Sequence, residues 1–491
     1  MKSHLLYPDC EMTQEKSMEE YMLDVEKDLD LEILYEIMAD HDENIKNAVR
    51  DVILHPLTDK SCIVERQNII KDCIDNEEEI TDLYHFLEEV MKKKQEMKWL
   101  YSTSPSGTLA NSVEKLKNYY IFLVKLKDYS AKYLEKFHSR GFQKLFNMIG
   151  EMIDQVFLDG ASKLLSELEF KNGMLIKMKL GEDNRCIGYV LAVDENMKQH
   201  FKWKITPSYT LGASDMAGVR DFCDRKDKAS ESCAVIVENA ALGIADFFEG
   251  LYFEVGFYIG VLNLRRELEK SRTDYCFPDI EEERIRKFDS LREINLCFGE
   301  EECIGNKLDI AEKSVLVITG ANRGGKTVFL KSIGQAQIMM QSGLFVLAKS
   351  FQTYIADGIF THFRREEDEK LKSGKLDEEL QRLNRIVPYM KPGSLILYNE
   401  SLASTNEREG SELCYGITRA LMEAGVDQIH VTHLFSFSNR VYVEDWESAY
   451  FLRAVRKENG ERTYKIEEGR PTQSAFGKDL YMKIWESGDN E

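Results

Sequence analysis

Between residues 13 and about 155, apolar side chains return every three or four positions with charges between them, as in Ile80, Leu83, Tyr84, Leu87, Val90 and Met91. That spacing puts them on one face of a helix and, with proline scarce, predicts a helical module. The stretch YSTSPSGTLA, Tyr101 to Ala110, concentrates Ser, Thr, Pro and Gly and predicts a loop that breaks it. From Gly173 the pattern shortens. MLIKMKLGEDNRCIGYVLAV gives two short runs around a turn-like GEDN, then KWKITPSY, which together predict a small β-rich insertion over about 173–210. Helical composition resumes near Asn239 and continues to a break at Cys276 to Asp279, CFPD, the expected domain edge.

Beyond that edge, strand and helix patterns alternate. Ser314 to Thr319 (SVLVIT) leads into a glycine-rich turn and a helix. Ser394 to Tyr398 (SLILY) follows a Lys-Pro-Gly turn, and Gln428 to Thr432 (QIHVT) follows a helix ending near Gly425. Such alternation predicts a mainly parallel sheet with helices on its faces. The expected architecture is an all-α part over 1–275, carrying the β-rich insertion, followed by an α/β domain over 276–491. No internal repeat of about 20 to 50 residues is evident.

Composition narrows the class. The 491 residues are 43% hydrophobic, ample for two to four cores. The richest apolar stretch, Ala234 to Leu264, is interrupted by Glu238, Asp246, Glu249 and Glu254, so no membrane span of about 18 apolar residues is expected. The N-terminal MKSHLLYPDCEMTQEK lacks the apolar core of a secretion signal, and a cytoplasmic protein is expected. Ten cysteines without a CxxC pair predict reduced thiols, and nine histidines without HxxxH spacing give no zinc pattern. A net charge of -21 argues against coating nucleic acid through overall charge. Lys92 to Lys94 and Arg265, Arg266 read as solvated helix faces.

The chemistry concentrates in the second half. Gly320, Ala321, Asn322, Arg323, Gly324, Gly325, Lys326 and Thr327 fit GxxxxGK[ST] between a strand and a helix. Glycines let the backbone wrap a phosphate so that N–H groups and the helix N-terminus point at it. Lys326 then reaches the β and γ phosphates and Thr327 offers a hydroxyl to magnesium. A merely tight strand-to-helix turn has no need of Lys-Thr at this offset. The strand ending at Asn399-Glu400 would order magnesium at Asn399 and polarise an attacking water at Glu400. As an amide, Asn399 can accept a hydrogen bond from a metal-bound water but adds no charge. The alternative is that the pair is only the polar end of a strand. His433 follows another expected strand, so Gly320, Glu400 and His433 are expected to converge at carboxyl strand ends, with His433 as a γ-phosphate sensor.

These segments resemble the MutS family of DNA mismatch repair ATPases. The likeness runs through VITGANRGGKTVFLKSIGQ, LYNESLASTNEREG and VTHL in the family's order, with weaker likeness in HPLTDKSCIVERQNII, LYFEVGFYIGVLNLRRELEKSRTDYCFP and RPTQSAFGKDLY. It covers about residues 50 to 480, most strongly from 276. The resemblance implies a helical core and lever module followed by an ABC-type P-loop ATPase domain, a homodimer, ATP and Mg2+ as cofactors, and DNA as partner. It also implies that a signature segment completes the partner's nucleotide site. The matching stretch is SGKLDEEL, where Ser373, Gly374 and Lys375 stand; read alone, it is a polar loop and helix start. Set against that resemblance, the expectation is a protein without the family's amino-terminal mismatch-reading domain and with only a short stretch in place of its DNA clamp.

The expectation is therefore a magnesium-dependent ATPase: a dimeric, ATP-switched clamp acting on DNA in repair or recombination rather than classical mismatch reading. In it Glu400 and His433 are catalytic, residues 320–327 bind ATP, and Thr327 and Asn399 serve the metal. The alternative is a nucleotide-gated protein scaffold with negligible hydrolysis. A P-loop small-molecule kinase fits the long helical module less well.

Overall fold

The computed structural model describes residues 4–7, 20–171, 173–192, 210–212, 214–299, 303–365, 374–456 and 462–472. The chain forms two compact units, one of Met1–Leu5 with Asn76–Val255, the other of Leu6–Asp75 with Gly256–Glu491. The edge expected at 275/276 therefore falls inside the second unit. Apolar periodicity shows that a helix buries one face, not what it buries it against.

The first unit is mostly helical. Its described helices are Glu77–Glu96, Pro105–Tyr133, Arg140–Met152, Gln155–Leu168 and the part up to Val255 of one long helix, Met216–Lys270. Aromatic side chains make much of its interior: Phe248, fully buried, lies 6.4 Å from both Phe86 and Phe122. Phe137, Phe142 and Phe146 form a second group, with centroids 4.4 to 5.6 Å apart. The loop expected over 101–110 is shorter than anticipated. Ser104 caps a helix by accepting from Gly107 N at 3.2 Å, and Pro105 occupies the first turn, where its missing N–H costs nothing. The β-rich insertion contains an antiparallel hairpin, Ile176–Leu180 with Cys186–Leu191, turning through GEDN. The KWKITPSY segment lies outside the described residues. The long helix starts at Met216, well before Asn239, because Asp215 accepts from Gly218 N at 2.9 Å and supplies the start signal that the charged first turns concealed.

The second unit holds a six-stranded sheet. Its strands are β1 (Val315–Thr319), β2 (Ile359–Phe363), β3 (Leu395–Asn399), β4 (Asp427–Val431), β5 (Ala449–Arg456) and β6 (Arg462–Glu468), with β2 and β6 at the edges. Across the sheet the order is β6-β5-β1-β4-β3-β2, all parallel except the antiparallel β5–β6 pair. Strand β1 is buried at every residue, as the uninterrupted VLVIT predicts for a strand covered on both faces. A four-stranded sheet, formed by Asp279–Glu281, Ser350–Tyr354, Ile285–Leu291 and Asn306–Ala311, completes the unit's β-structure among the described residues.

Residues 20–75 pack into this unit. Tyr21 lies 4.6 Å from Phe360 of β2. Arg66, fully buried, donates to Leu6 O at 2.7 Å and Ser342 O at 3.1 Å. The helix Lys326–Gln341, buried almost throughout, comes so close to its neighbours that a Cβ at Gly334 would lie 2.6 Å from Leu397 and 2.8 Å from Leu29. Gln341 donates to Leu57 O and Ala356 O at 3.0 and 2.9 Å. Among the described cysteines Cys62 is disulfide-bonded, against the expectation of reduced thiols, and eight others are free.

One buried ion pair joins the two sheets. Arg286 Nη2 lies 3.2 Å from Asp427 Oδ2 and also donates to the Tyr354 hydroxyl, while Arg284 Nε stands 3.3 Å from Asp427 Oδ1. Burial raises the Asp427 pKa and lowers that of Arg286, so each charge is held in place by the other. Replacing Arg286 with Met removes the buried cation and leaves the interior carboxylate only the partly exposed Arg284. It is expected to cost about 3–5 kcal/mol in urea unfolding, most of which an additional Asp427→Leu change recovers.

Candidate active site

Parallel pairing sets the site. In register, Ile318 of β1 stands beside Val431 of β4, and Val431 beside Asn399 of β3. The carboxyl ends of three neighbouring strands are thus level, so the segments that leave them, 320–325, 400–405 and 432–434, start from one edge.

The first segment turns through left-handed positions, with φ of 119° at Gly320, 57° at Arg323 and 88° at Gly325. A Cβ at Gly324 would meet that of Ala454 at 2.9 Å, which explains glycine there. Lys326 opens the helix and folds its ammonium back, donating to Gly320 O and Ala321 O at 2.9 Å each. Its side chain is buried. That burial lowers the amine pKa, and the charge of Glu400 opposes the shift. A cation poised inside a glycine-rich turn can exchange two carbonyls for phosphate oxygens.

The second segment begins with strain. Glu400 has φ of 53° and Leu402 60°, and Glu400 N donates to Val431 O at 2.8 Å. Non-glycine residues in this region cost about 1–3 kcal/mol each, and the backbone bond to β4 holds Glu400 there. Its Oε1 lies 2.8 Å from His433 Nε2. This hydrogen bond, with the charges of His433, Lys326 and Arg364, outweighs desolvation and holds the carboxyl below its usual range, so it is ionised at neutral pH. Beside it Thr327 Oγ1 donates to Asn399 Oδ1 at 3.0 Å. A hydroxyl and an amide oxygen side by side, both neutral, suit a magnesium ion that keeps several waters and takes its remaining charge from phosphates.

Around the turn lies a cavity of about 510 Å³, lined by Asn322 to Val328, Glu400, Leu296, Ile304, Asn306 and Tyr464. The last four carried no sequence signal. Asn306 brings Tyr464 in by donating to its carbonyl at 3.2 Å and accepting from Ile466 N at 2.9 Å. Of the other anticipated positions, Ser373 lies outside the described residues. Gly374 caps the helix Lys375–Ile386, and neither it nor Lys375 lines this cavity.

The site thus belongs to a mixed α/β protein whose mainly parallel sheet gathers a lysine, a threonine–amide pair and a glutamate–histidine pair at its strand ends. Comparison with known families agrees with that class. Residues 58–271 match the MutS2 N-terminal domain and residues 316–479 match MutS domain V. The chain belongs to the MutS family. Endonuclease MutS2 of Thermus thermophilus is 30% identical over 178 residues, 35% of this chain and 23% of that protein. Endonuclease MutS2 of Streptococcus equi subsp. equi is 30% identical over 177 residues, 35% of this chain and 22% of that protein. MutS protein homolog 4 of Homo sapiens is 23% identical over 351 residues, 69% of this chain and 36% of that protein. The match therefore spans well under half the length of these relatives. Among the described residues no helix is long and apolar enough to cross a membrane.

Two buried histidines flank β3. His362 Nε2 donates to Glu379 O at 3.0 Å, with Nδ1 2.8 Å from Ser401 Oγ, while His430 stacks on Tyr398 at 4.4 Å. Burial lowers their pKa values to about 4 for His362, helped by Arg382, and about 3 for His430. Both are neutral when folded, so the unfolded chain takes up protons first as pH falls below about 6.5. Stability present at neutral pH is lost on acidification toward the folded values, by about 2 kcal/mol per histidine at about pH 5. Urea midpoints at the two pH values check this, and His430→Gln is expected to lessen the acid loss.

Proposed function

We propose that the chain is an ATP-binding and ATP-hydrolysing MutS-like protein that works as a homodimeric, ATP-switched clamp on DNA. What supports this reading is that Lys326, Thr327 and Glu400 line one cavity, with Thr327 bonded to Asn399 and Glu400 to His433. The names of the relatives, two endonucleases of the MutS2 group and a MutS homologue, support the link to DNA. The domain over 276–491 acts in this reading as an ABC-type P-loop ATPase, with residues 1–275 as core and lever.

In this mechanism the N–H groups of Gly320 to Gly325 and the start of the following helix receive the phosphates. Lys326 exchanges Gly320 O and Ala321 O for β- and γ-phosphate oxygens. Thr327 and Asn399 would hold magnesium, which supplies positive charge to the phosphates when bound. Glu400, ionised and fixed by its backbone bond to β4, orients a water and accepts its proton as the water oxygen bonds to the γ phosphorus. The bond to the bridging oxygen then breaks, leaving ADP and phosphate. His433 moves from Glu400 to the γ phosphate and so reports which nucleotide is present. For ATP to drive closure it must bind the closed dimer more tightly than the open one. In that dimer Ser373, Gly374 and Lys375 would complete the partner's site.

A second reading, a nucleotide-gated scaffold with negligible hydrolysis, draws on one observation: Asn399 brings no negative charge to the metal position and already accepts from Thr327. Turnover separates the two. Lys326→Ala is expected to abolish nucleotide binding. Glu400→Gln is expected to keep binding, lower turnover at least about 100-fold and accumulate an ATP-bound dimer in light scattering. Full turnover in that variant would overturn the catalytic assignment. Asn399→Asp is expected to lower the magnesium concentration needed for half-maximal activity. Under the clamp reading, DNA stimulates turnover in a manner that weakens steeply with salt; indifference to duplex, branched and single-stranded DNA would favour the scaffold.

A further inference from the structure

The cavity wall contributed by Leu296 and Ile304 is bracketed by cysteines. Cys297 follows the first and Cys303 precedes the second, and their sulfurs stand 3.2 Å apart. Both are free thiols and half-buried, within reach of a small solute, whereas Cys73 and Cys414 are fully enclosed. The Cys297 thiol donates to the Cys303 sulfur, which pushes the Cys297 pKa up and holds that of Cys303 below the usual thiol value; burial and the charge of Glu293 oppose the thiolate of both, and the charge of Arg292 favours it. Cys303 is accordingly the better nucleophile of the pair.

Hydrogen bonds hold both sides of this wall: on the Ile304 side the Cys303 thiol donates to Glu293 O at 3.7 Å, Asn306 Nδ2 donates to Ile304 O at 3.5 Å and Lys465 donates to Gly305 O. Glu293 accepts from Leu296 N at 3.0 Å and from Gln335 Nε2 at 2.7 Å, and Gln335 accepts from Ile294 N at 3.0 Å. Gln335 belongs to the helix that begins at Lys326, so the Leu296 side is tied to the phosphate turn's own helix. A covalent link from Cys297 to Cys303 would replace the weak sulfur hydrogen bonds between the two sides with a bond that does not open.

We propose that Cys297 and Cys303 form a redox-modification site, at which a peroxide converts the dithiol to a disulfide that fixes Leu296 and Ile304 in the cavity wall. The Cys303 thiolate attacks one oxygen of hydrogen peroxide, the O–O bond breaks, and the departing hydroxide takes a proton to become water. The resulting Cys303 sulfenic acid is attacked by the Cys297 sulfur, which gives up its proton. The S–O bond breaks, a second water leaves and the S–S bond forms. Two electrons pass from the sulfurs to the peroxide, and a dithiol reductant reverses the change. The consequence for nucleotide rests on the reading of the cavity given above. A wall fixed in advance needs less ordering when a ligand binds, so the oxidised protein binds ATP more tightly.

The full chain is treated with hydrogen peroxide, alkylated and digested, and the peptide spanning both cysteines is weighed; a fluorescent ATP analogue is titrated before and after dithiothreitol. A disulfide between Cys297 and Cys303 is expected, with affinity about three- to tenfold higher in the oxidised protein. Cys303→Ser is expected to form no such link and to bind the analogue like the reduced wild type whether or not peroxide is added. Failure of the link to form overturns the proposal, and a link that leaves affinity unchanged overturns its effect on the wall. A link in a protein that binds no analogue even when reduced overturns the nucleotide reading and sustains the modification site.

Discussion

Everything at the site depends on the parallel register of β1, β4 and β3. Because Ile318, Val431 and Asn399 stand level, three segments far apart in sequence leave the sheet at one edge. A slip of one residue would invert every side chain on a strand that is buried on both faces. Hydrophobic burial in VLVIT, LILYN and DQIHV therefore fixes not only the sheet but also the alignment of Lys326, Asn399, Glu400 and His433.

Polar bonds then trim what burial leaves loose. Asp427, at the start of β4, is held by Arg286 from the neighbouring sheet, and Glu400, just beyond the end of β3, is held by a backbone bond to the other end of β4. The strained φ of Glu400 is sustained by these constraints on both sides of the strand. In the site, three polar side chains already have partners: Lys326 has loop carbonyls, Thr327 has Asn399, and Glu400 has His433. At these three side chains binding a ligand thus exchanges hydrogen bonds rather than creating them.

Legibility in the sequence followed the range of the interaction. The turn at 320–327 could be read because its glycines and Lys-Thr are consecutive, and the positions at 399, 400 and 433 because apolar runs mark where strands end. The GEDN turn could be read for the same reason. Leu296, Ile304, Asn306 and Tyr464 could not, since a cavity wall needs only shape and is assembled by bonds such as Asn306 to Tyr464, which spans 158 positions. Misread stretches were local signals with two meanings. Ser-Pro at 104–105 marks a helix start as readily as a loop, and Asp215 begins a helix whose charged first turns resemble a linker.

The sequence by itself determined the helices, the mainly parallel sheet, the glycine-rich turn and the order of chemical groups along the chain, because periodicity and turn chemistry act over a few residues. Only the tertiary structure decided that residues 6–75 and the end of the long helix join the sheet's unit, that Glu400 pairs with His433, and that Cys297 meets Cys303 beside the cavity. An apolar helical face is complementary to many surfaces, and a titratable side chain to many partners. The choice among them is made by packing, once the strands have fixed where each segment begins.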